Sequence, residues 1–137
     1  MSPLLWAALA GTASPGSVVV DVTALRSAKG QILLCMTMKP AMLSKCDKDP
    51  VSRRLAVPAA HARAILFEGI PSGTYAIALI HDENNNNKLD TAFGVPKEGF
   101  GFSRNPPIHF GPPSFASAQF AVATSRVDEG IRVKYMF

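Results

Sequence analysis

The sequence predicts an all-β fold, an antiparallel, seven-stranded, Greek-key-like β-sandwich with one long ordered loop rich in Gly, Pro and Phe. Three observations lead to this prediction. Apolar residues alternate with other residues in short segments, turn residues separate these segments roughly every 8 to 12 positions in the first half, and no segment has a helical period. With 137 residues, 47% of them hydrophobic, the chain can bury a sizeable core.

The predicted strands follow one another along the chain. Segment 18–22 carries valines at alternate positions, and the nearly all-apolar segment 32–38 is typical of a central strand covered on both faces. Alternation predicts five further strands at 54–58, 64–67, 74–80, 118–123 and 131–135. The inward-facing side chains form the predicted core: Val18, Val20, Val22, Ile32, Leu34, Phe67, Tyr75, Ile77, Leu79, Phe120 and Val133.

Segment 94–115 differs from the rest of the chain because prolines, glycines and phenylalanines are concentrated in it. Disordered linkers are poor in aromatic residues, so we interpret the segment as an ordered loop in which at least two of Phe100, Phe102, Phe110 and Phe115 are buried. Two roles are open, a packing lid or an aromatic ligand surface. The candidate ligand surface comprises His81, Glu98, Phe100, Phe102, Arg104 and His109.

Residues 1–16 are expected to be a short or truncated signal segment, and residues 17–137 a single sandwich domain. Residues 4–10 are apolar and end in the small-x-small sequence Ala8-Leu9-Ala10, which suits signal peptidase. The alternative is an N-terminal tail that leads into the first strand. No run is long enough to span a bilayer. A signal segment predicts a periplasmic or secreted location.

The two cysteines support export. Cys35 and Cys46 are too few for a four-ligand zinc site, and their spacing is not that of a redox C-x-x-C motif. A disulfide between them would suit an oxidising compartment, and closing this short loop would stabilise the fold by a little under ~3 kcal/mol. The alternative is a pair of unrelated buried thiols.

Charge and motifs argue against two classes of function. The net charge of +4 is modest and its cations are scattered, which does not favour nucleic-acid binding. The nucleophile elbow, the phosphate loop, the dinucleotide-binding glycines and the H-E-x-x-H zinc motif are all missing, and the three histidines lie far apart in the sequence. We therefore predict a non-catalytic protein whose partner is an envelope protein or a glycan.

Loop 82–90 carries the strongest local motif. Oxygen-bearing groups recur with the spacing of an EF-hand-like calcium loop, which predicts a weak Ca²⁺ site at Asp82, Asn84, Asn86, the Lys88 carbonyl and Asp90. The sixth position is Asn87 where glycine is usual, and the twelfth is Phe93 where a bidentate glutamate is usual. The alternative is an asparagine-rich turn, because asparagine readily adopts turn conformations.

Several stretches together resemble a known family. Residues 81–90 resemble an H-D-E-N-G-N-G-K-L-D motif, although the motif's two glycines are Asn85 and Asn87 here, and the resemblance continues through 94–105 and 110–115. Residues 67–76 are similar to the F-x-x-L-P-x-G-x-Y signature of transthyretin-like and collagen-adhesin-B-like sandwiches. The pattern resembles the bacterial domain of unknown function 2141 family over 17–137, which implies an exported β-sandwich of the cell envelope and no established activity.

Two hypotheses for function follow. The first is a non-catalytic, exported cell-envelope module with a weak calcium loop at 82–90. The alternative is a hydrolase or other small-molecule enzyme whose site lies between loop 82–90 and segment 94–115, with His81, Glu98, Arg104 and His109 as its polar groups. The C-terminal Tyr-Arg-Gly-Ser motif of transthyretin-like hydrolases is absent. The enzyme hypothesis requires those four side chains to converge in one pocket.

Overall fold

Two β-sheets share one hydrophobic core in a computed structural model, which describes residues 14–88, 91–92, 95–109 and 111–137. The strands are β1 (Gly16–Thr23), β2 (Gln31–Thr37), β3 (Arg53–Pro58), β4 (Ile65–Ile70), β5 (Gly73–Asp82), β6 (Thr91–Ala92), β7 (Val95–Pro96), β8 (Gly99–Phe102), β9 (Phe120–Val122) and β10 (Arg126–Arg132). Two 3₁₀ helices, Pro40–Lys48 and Ala59–His61, and one short α-helix, α1 (Phe115–Ala118), connect them.

The strands are divided unequally between the sheets. The smaller sheet has the order β10-β1-β4, and the larger has the order β3-β2-β5-β8 with β9 paired to the first residues of β5. A separate two-stranded ribbon joins β6 to β7. In the described residues, therefore, eight strands form the two sheets, and the predicted seven-stranded Greek-key-like arrangement is wrong in detail although the mostly-β, two-sheet class is confirmed.

The predicted core is confirmed. All eleven residues that the alternation placed inward lie in the main buried cluster, which receives side chains from both sheets. The strand register explains this agreement, because alternate side chains of β2 and β5 point to the same inner face. Tyr75 also anchors its strand by donating a hydrogen bond from its hydroxyl to the Pro71 carbonyl at 2.7 Å.

Two features of the sheets differ from the prediction. First, β10 runs parallel to β1, not antiparallel, since the chain crosses from the larger sheet after β9 and enters the smaller one beside β1. Alternation along a strand does not specify the direction of its partner. Second, segment 94–115 is not one continuous loop, because it contains the short strands β7 and β8.

Strand β8 was not predicted from the sequence, because its composition, Gly-Phe-Gly-Phe, resembles that of a loop. Its glycines face the C-terminal segment, where a Cβ at Gly99 would overlap the Tyr135 ring and Val133. A Cβ at Gly101 would lie 2.7 Å from the Ile131 side chain. Glycine is thus required because side chains of the C-terminal segment pack directly on this strand, a role that sequence patterns easily mistake for a turn.

The outer face of the larger sheet carries a second, smaller cluster. It consists of Leu43 from the first 3₁₀ helix together with Ala76, Phe115 and Ala118. Phe100 and Phe115 are buried, which confirms the expectation that at least two of the four loop rings are buried; Phe110 lies outside the described residues. These rings therefore act as packing groups on the sheet.

The predicted signal segment, residues 1–16, lies outside the described residues except for its last three positions, and Gly16 already begins β1. Over the described part of the chain, none of the helices is both long enough and apolar enough to cross a membrane.

Candidate functional site

A groove with a volume of about 640 Å³ lies on the outer face of the larger sheet. Two cross-strand rows form its floor. The register aligns Ala56, Leu33 and Ile80 in one row, and Arg54, Cys35 and Ala78 in the other. The floor is therefore aliphatic apart from Arg54 and the cystine sulfur. We call this cavity the outer groove.

One wall of the outer groove, the helix wall, is the 3₁₀ helix Pro40–Lys48. Its Cys46 is bonded to Cys35 on the floor, with the two Cα atoms 6.0 Å apart. This confirms the predicted disulfide, and no free cysteine exists among the described residues. Leu43 packs on the same face beside Ala78 and Phe102. The helix, too short and too kinked to be stable alone, is thus fixed to the sheet by a covalent bond and an apolar contact.

A buried carboxylate secures the end of the helix wall. Asp49 is 1% exposed and accepts hydrogen bonds from the Thr37 hydroxyl at 2.7 Å and from the Val51 N–H at 3.1 Å. The Lys39 ammonium lies 3.2 Å from the same carboxylate. The hydrogen bond from Thr37, together with those from Val51 and Lys39, lowers the pKa of Asp49 below its ordinary value, although burial opposes the shift.

The other wall, the loop wall, follows β5 and contributes Asn87 and Lys88 to the groove. The buried Asp82 carboxylate organises it by accepting from the backbone N–H groups of Asn86 at 3.2 Å and Asn87 at 2.8 Å. Gln31 on β2 donates from its amide nitrogen to both Asp82 and Asn87, each at 2.9 Å. Asparagine suits this loop because Asn85 and Asn87 adopt positive φ angles of 55° and 61°.

Four of the five predicted calcium ligands lie in the described part of this loop, and Asp90 lies outside it. The side-chain oxygens of Asn84 and Asn86 accept from backbone N–H groups two residues ahead, at 3.3 and 3.0 Å. The structure therefore brings Asp82, Asn84 and Asn86 into one tightly coiled loop. No cluster of three or more His, Cys, Asp or Glu side chains suited to a metal occurs among the described residues. Calcium binding stays a prediction.

His81, the first residue of the candidate ligand surface, is completely buried near the end of β5. Its Nε2 lies 2.8 Å from the Lys29 carbonyl and its Nδ1 lies 2.8 Å from the Tyr135 hydroxyl. Because a carbonyl only accepts, Nε2 donates to Lys29, and Nδ1 shares a hydrogen bond with the Tyr135 hydroxyl. The Tyr135 hydroxyl in turn accepts from the Arg26 N–H at 3.1 Å, and burial raises the pKa of Tyr135.

Glu98 is also buried, and it belongs to a hydrogen-bonded cluster with Glu83, Arg26 and Tyr135 at the end of the sheet that contains His81. Its carboxylate accepts from the Glu83 backbone N–H at 3.1 Å. The Glu83 side chain accepts from the Arg26 guanidinium at 2.6 Å, and this contact, with a further hydrogen bond from Ser27, lowers the pKa of Glu83. Arg26 stacks over the Tyr135 ring, 4.5 Å from its centroid. The cluster connects loops that are distant in the sequence.

Arg104 lies at the opposite end of β8. His81 is paired with Gly99, the first residue of β8, whereas Arg104 lies in the turn that follows Phe102, the last residue of β8, and has a φ of 66°. The exposed Arg104 lies close to Glu129. Burial raises the pKa of Glu129, and the interaction with Arg104 offsets part of this rise.

The remaining members of the candidate ligand surface are also dispersed. His109 is exposed, Phe100 is buried, and Phe102 packs with the outer cluster. None of the six residues predicted for the ligand surface lines the outer groove. The four polar groups of the enzyme hypothesis do not meet in that cavity.

Sequence reasoning did not identify the floor of the outer groove, although a signal was present. Segments 32–38 and 74–80 are apolar at both alternating positions, so each has a second apolar face beyond the one that fills the core. Leu33, Ala78 and Ile80 occupy that second face and are only partly buried. The pattern does not show where the two walls lie, so it could not predict which part of this face stays uncovered.

The fold and the site together define a mostly-β, two-sheet module with a disulfide-anchored groove on its outer face. The chain belongs to the bacterial family described as "Uncharacterized protein conserved in bacteria (DUF2141)", whose model matches residues 20–129. This confirms the family resemblance found in the sequence. Comparisons with curated proteins and with solved structures find no significant match.

Proposed function

We propose that this protein is a non-catalytic, exported binding module of the bacterial cell envelope, periplasmic or secreted, that takes an apolar ligand into the outer groove. The observation that carries the proposal is the groove itself, about 640 Å³ in volume with an aliphatic floor. This volume falls within the range of about 300–1,000 Å³ that is usual for small-molecule sites. Covering the floor with an apolar ligand would remove partly exposed leucine, isoleucine and alanine surface from water.

The chemistry of the groove supports binding more than catalysis. Its described lining contains no histidine and no glutamate, and its polar side chains are Ser44, Asp47, Arg54, Asn87 and Lys88. The buried ionisable groups nearby, Asp49, His81 and Asp82, are each committed to hydrogen bonds that hold a loop or a wall. A general acid or base would need one of them free to exchange a proton with substrate.

The disulfide supports export, and the aliphatic floor of the groove narrows the choice of partner. A disulfide that anchors a groove wall suits an oxidising compartment, because cytosolic thiols are normally kept reduced. Of the two partners expected from the sequence, an envelope protein or a glycan, the groove does not favour the glycan. A hydroxyl-rich sugar placed over an aliphatic floor would lose hydrogen bonds to water without replacement.

A neutral apolar dye, N-phenyl-1-naphthylamine, tests the proposal without any help from charge. We expect its fluorescence to rise and shift to the blue with the wild-type protein, and we expect this response to be lost in Ala56→Phe, which fills the groove floor. Ala121→Phe is the matched control, since Ala121 is an exposed alanine on β9 outside the groove. A silent wild type, or equal responses from the two variants, would refute the proposal.

We propose in addition that Ca²⁺ orders the loop wall, with Asp82, Asn84, Asn86, the Lys88 carbonyl and Asp90 as ligands. The specific observation in favour is the coiled loop in which the buried Asp82 carboxylate and two asparagine oxygens all accept backbone N–H groups. Two carboxylates at most would serve the ion, so the expected dissociation constant is weak, on the order of 10⁻⁴ to 10⁻³ M.

Thermal unfolding with calcium or with chelator tests this second proposal. Calcium at ten times its dissociation constant should stabilise the folded protein by about 1.4 kcal/mol and raise the melting temperature. The isosteric pair Asp82→Asn with Asp90→Asn should lose that response, whereas Asp128→Asn, an exposed aspartate on β10, should keep it. If millimolar calcium leaves the wild-type melting curve unchanged, the loop is an asparagine-rich turn.

A further inference from the structure

We infer that the ligand of the outer groove is a single-chain amphipathic anion, an aliphatic body with a carboxylate or similar headgroup, bound as a free molecule. The inference rests on the proposed binding function and specifies its ligand. It follows from three properties of the groove: the shape and chemistry of its floor, the unequal charge on its rim, and its size.

The floor selects an aliphatic body. The row Ala56, Leu33 and Ile80 runs across three neighbouring strands, which places its ends about 10 Å apart. These side chains are aliphatic, and the described lining of the groove contains no aromatic ring. A flexible hydrocarbon chain can follow such a row and bury its methylene groups against it.

The rim selects a negative headgroup. Arg54 and Lys88 both line the groove, and neither forms an ion pair with a carboxylate among the described residues. The Arg54 guanidinium is steadied by the Asp47 backbone carbonyl at 3.5 Å, a contact that leaves its charge uncompensated.

The opposing charge on the rim is weaker. Asp47 is the one carboxylate in the described lining, and its oxygen lies 3.9 Å from the Lys48 ammonium. Among the described residues, therefore, the rim has two cations without an ion pair and one carboxylate that lies near a lysine, all beside an apolar floor. This charge pattern complements an anion and disfavours a cation with the same aliphatic body.

The size of the groove selects one free molecule over a membrane. A cavity of about 640 Å³ is of the size that holds one small ligand. Its floor is flanked on one side by the 3₁₀ helix and on the other by the loop at Asn87 and Lys88. A single chain can lie between these walls, whereas a planar bilayer would meet the walls first.

Three ligands have the same twelve-carbon chain but different headgroups: dodecanoate, dodecanol and dodecyltrimethylammonium. Comparing them separates the contribution of the headgroup to affinity from that of the chain. The two ionic ligands are titrated below their micelle concentrations and dodecanol below its solubility limit, and affinity is read from displacement of N-phenyl-1-naphthylamine. Two partly exposed ion pairs should favour dodecanoate over dodecanol by about two-fold to thirty-fold, and added salt should shrink this preference. Dodecyltrimethylammonium should bind more weakly than dodecanol.

Charge-neutralising variants locate the headgroup. Arg54→Gln combined with Lys88→Gln should make the affinities for dodecanoate and dodecanol equal while leaving the dye bound. Arg53→Gln is the matched control. Arg53 is also exposed on β3, but as the neighbour of Arg54 in the strand it points to the opposite face of the sheet. We expect this control to retain the full preference for dodecanoate.

The outcomes that overturn the inference differ from those that overturn the proposed function. If dodecanol matches dodecanoate on the wild type, or if Arg53→Gln loses as much of the preference as the Arg54→Gln, Lys88→Gln double variant, the ligand is not an anion held at this rim, yet the binding function stands. Stronger binding to phosphatidylglycerol vesicles than to dodecanoate would instead indicate a membrane surface. If the dye and all three ligands fail to bind, the binding function falls as well.

Discussion

The two walls of the outer groove are held by different kinds of interaction. The helix wall, Pro40–Lys48, is joined to the floor by the Cys35–Cys46 bond, and the buried Asp49 carboxylate fixes its end. The loop wall at Asn87 and Lys88 depends on hydrogen bonds from backbone and amide groups to Asp82. Both walls border one cavity, but only one of them is covalently closed.

This difference gives the two walls different roles: the helix wall fixes the shape of the groove, and the loop wall can respond to ions and ligand. A disulfide constrains the chain whatever the solvent contains, so the helix wall is set once the protein is oxidised. Hydrogen bonds in a partly exposed loop contribute little net free energy each, because water competes for the same groups. We therefore expect the helix wall to dominate stability and the loop wall to respond to ions and ligand.

The largest expected effect follows removal of the disulfide. Cys35→Ala with Cys46→Ala should lower the free energy of unfolding by about 3 kcal/mol, because the eleven-residue separation no longer restricts the unfolded chain. Urea unfolding measures the loss. Dithiothreitol should reproduce it in the wild type and have no effect on the variant; a wild type indifferent to reduction would contradict the assignment of the helix wall.

The next effect concerns the buried carboxylate at the end of that wall. Thr37→Val removes the hydroxyl hydrogen bond that contributes most to lowering the pKa of Asp49, and leaving this buried acceptor short of a partner should cost about 1–3 kcal/mol at neutral pH. Thr74→Val, at an exposed threonine of β5, is the control and should change stability by less than about 0.5 kcal/mol.

The dependence on pH tests the mechanism of that loss. A carboxyl group whose pKa is lowered on folding contributes stability above its unfolded pKa of about 3.9, and this contribution disappears as the pH falls through the folded value. The gap between wild type and Thr37→Val should therefore be widest above about pH 4 and narrow below it. A gap that stays constant into strong acid would assign the loss to packing around Thr37.

The comparison of the walls also explains how much the sequence could predict. Alternation predicted the core because burial of one strand face is a local pattern, as the agreement from Val18 to Val133 shows. Cysteine number and spacing predicted the covalent tie of the helix wall. The asparagine run at 84–87 predicted a coiled loop, since the preference of asparagine for positive φ is a property of the residue itself.

What could not be predicted depends on contacts between distant segments. The parallel pairing of β1 with β10 joins the two ends of the described chain, and no local pattern encodes a partner's direction. Strand β8 was missed because Gly99 and Gly101 are explained only by the side chains that approach them from the C-terminal segment. His81 resembled a ligand-surface residue, but only the fold reveals the carbonyl and hydroxyl that occupy both of its nitrogens.

A smaller effect should follow a change at the link between β2 and the loop wall. Gln31→Leu removes two amide hydrogen bonds, one to Asp82 and one to Asn87, and should lower stability by about 0.5–1.5 kcal/mol. The backbone N–H groups of Asn86 and Asn87 should then exchange with solvent faster, which amide hydrogen exchange detects. Gln119→Leu, at an exposed glutamine after α1, should leave their exchange unchanged.

The smallest effect tests why asparagine occupies the loop wall. Asn85 is exposed with φ 55°, a left-handed conformation that alanine disfavours and glycine tolerates. Asn85→Ala should therefore lower the free energy of unfolding by about 0.5–1 kcal/mol, whereas Asn85→Gly should stay within about 0.5 kcal/mol of the wild type. The same pair at Asn84, which lies outside the left-handed region, supplies the control: there glycine should be the more damaging substitution, because it adds freedom to the unfolded chain without relieving strain. Chemical unfolding of the four variants gives the comparison directly. If alanine is tolerated better than glycine at both positions, backbone conformation does not explain the asparagines, and their side-chain oxygens become the reason for their presence in the loop.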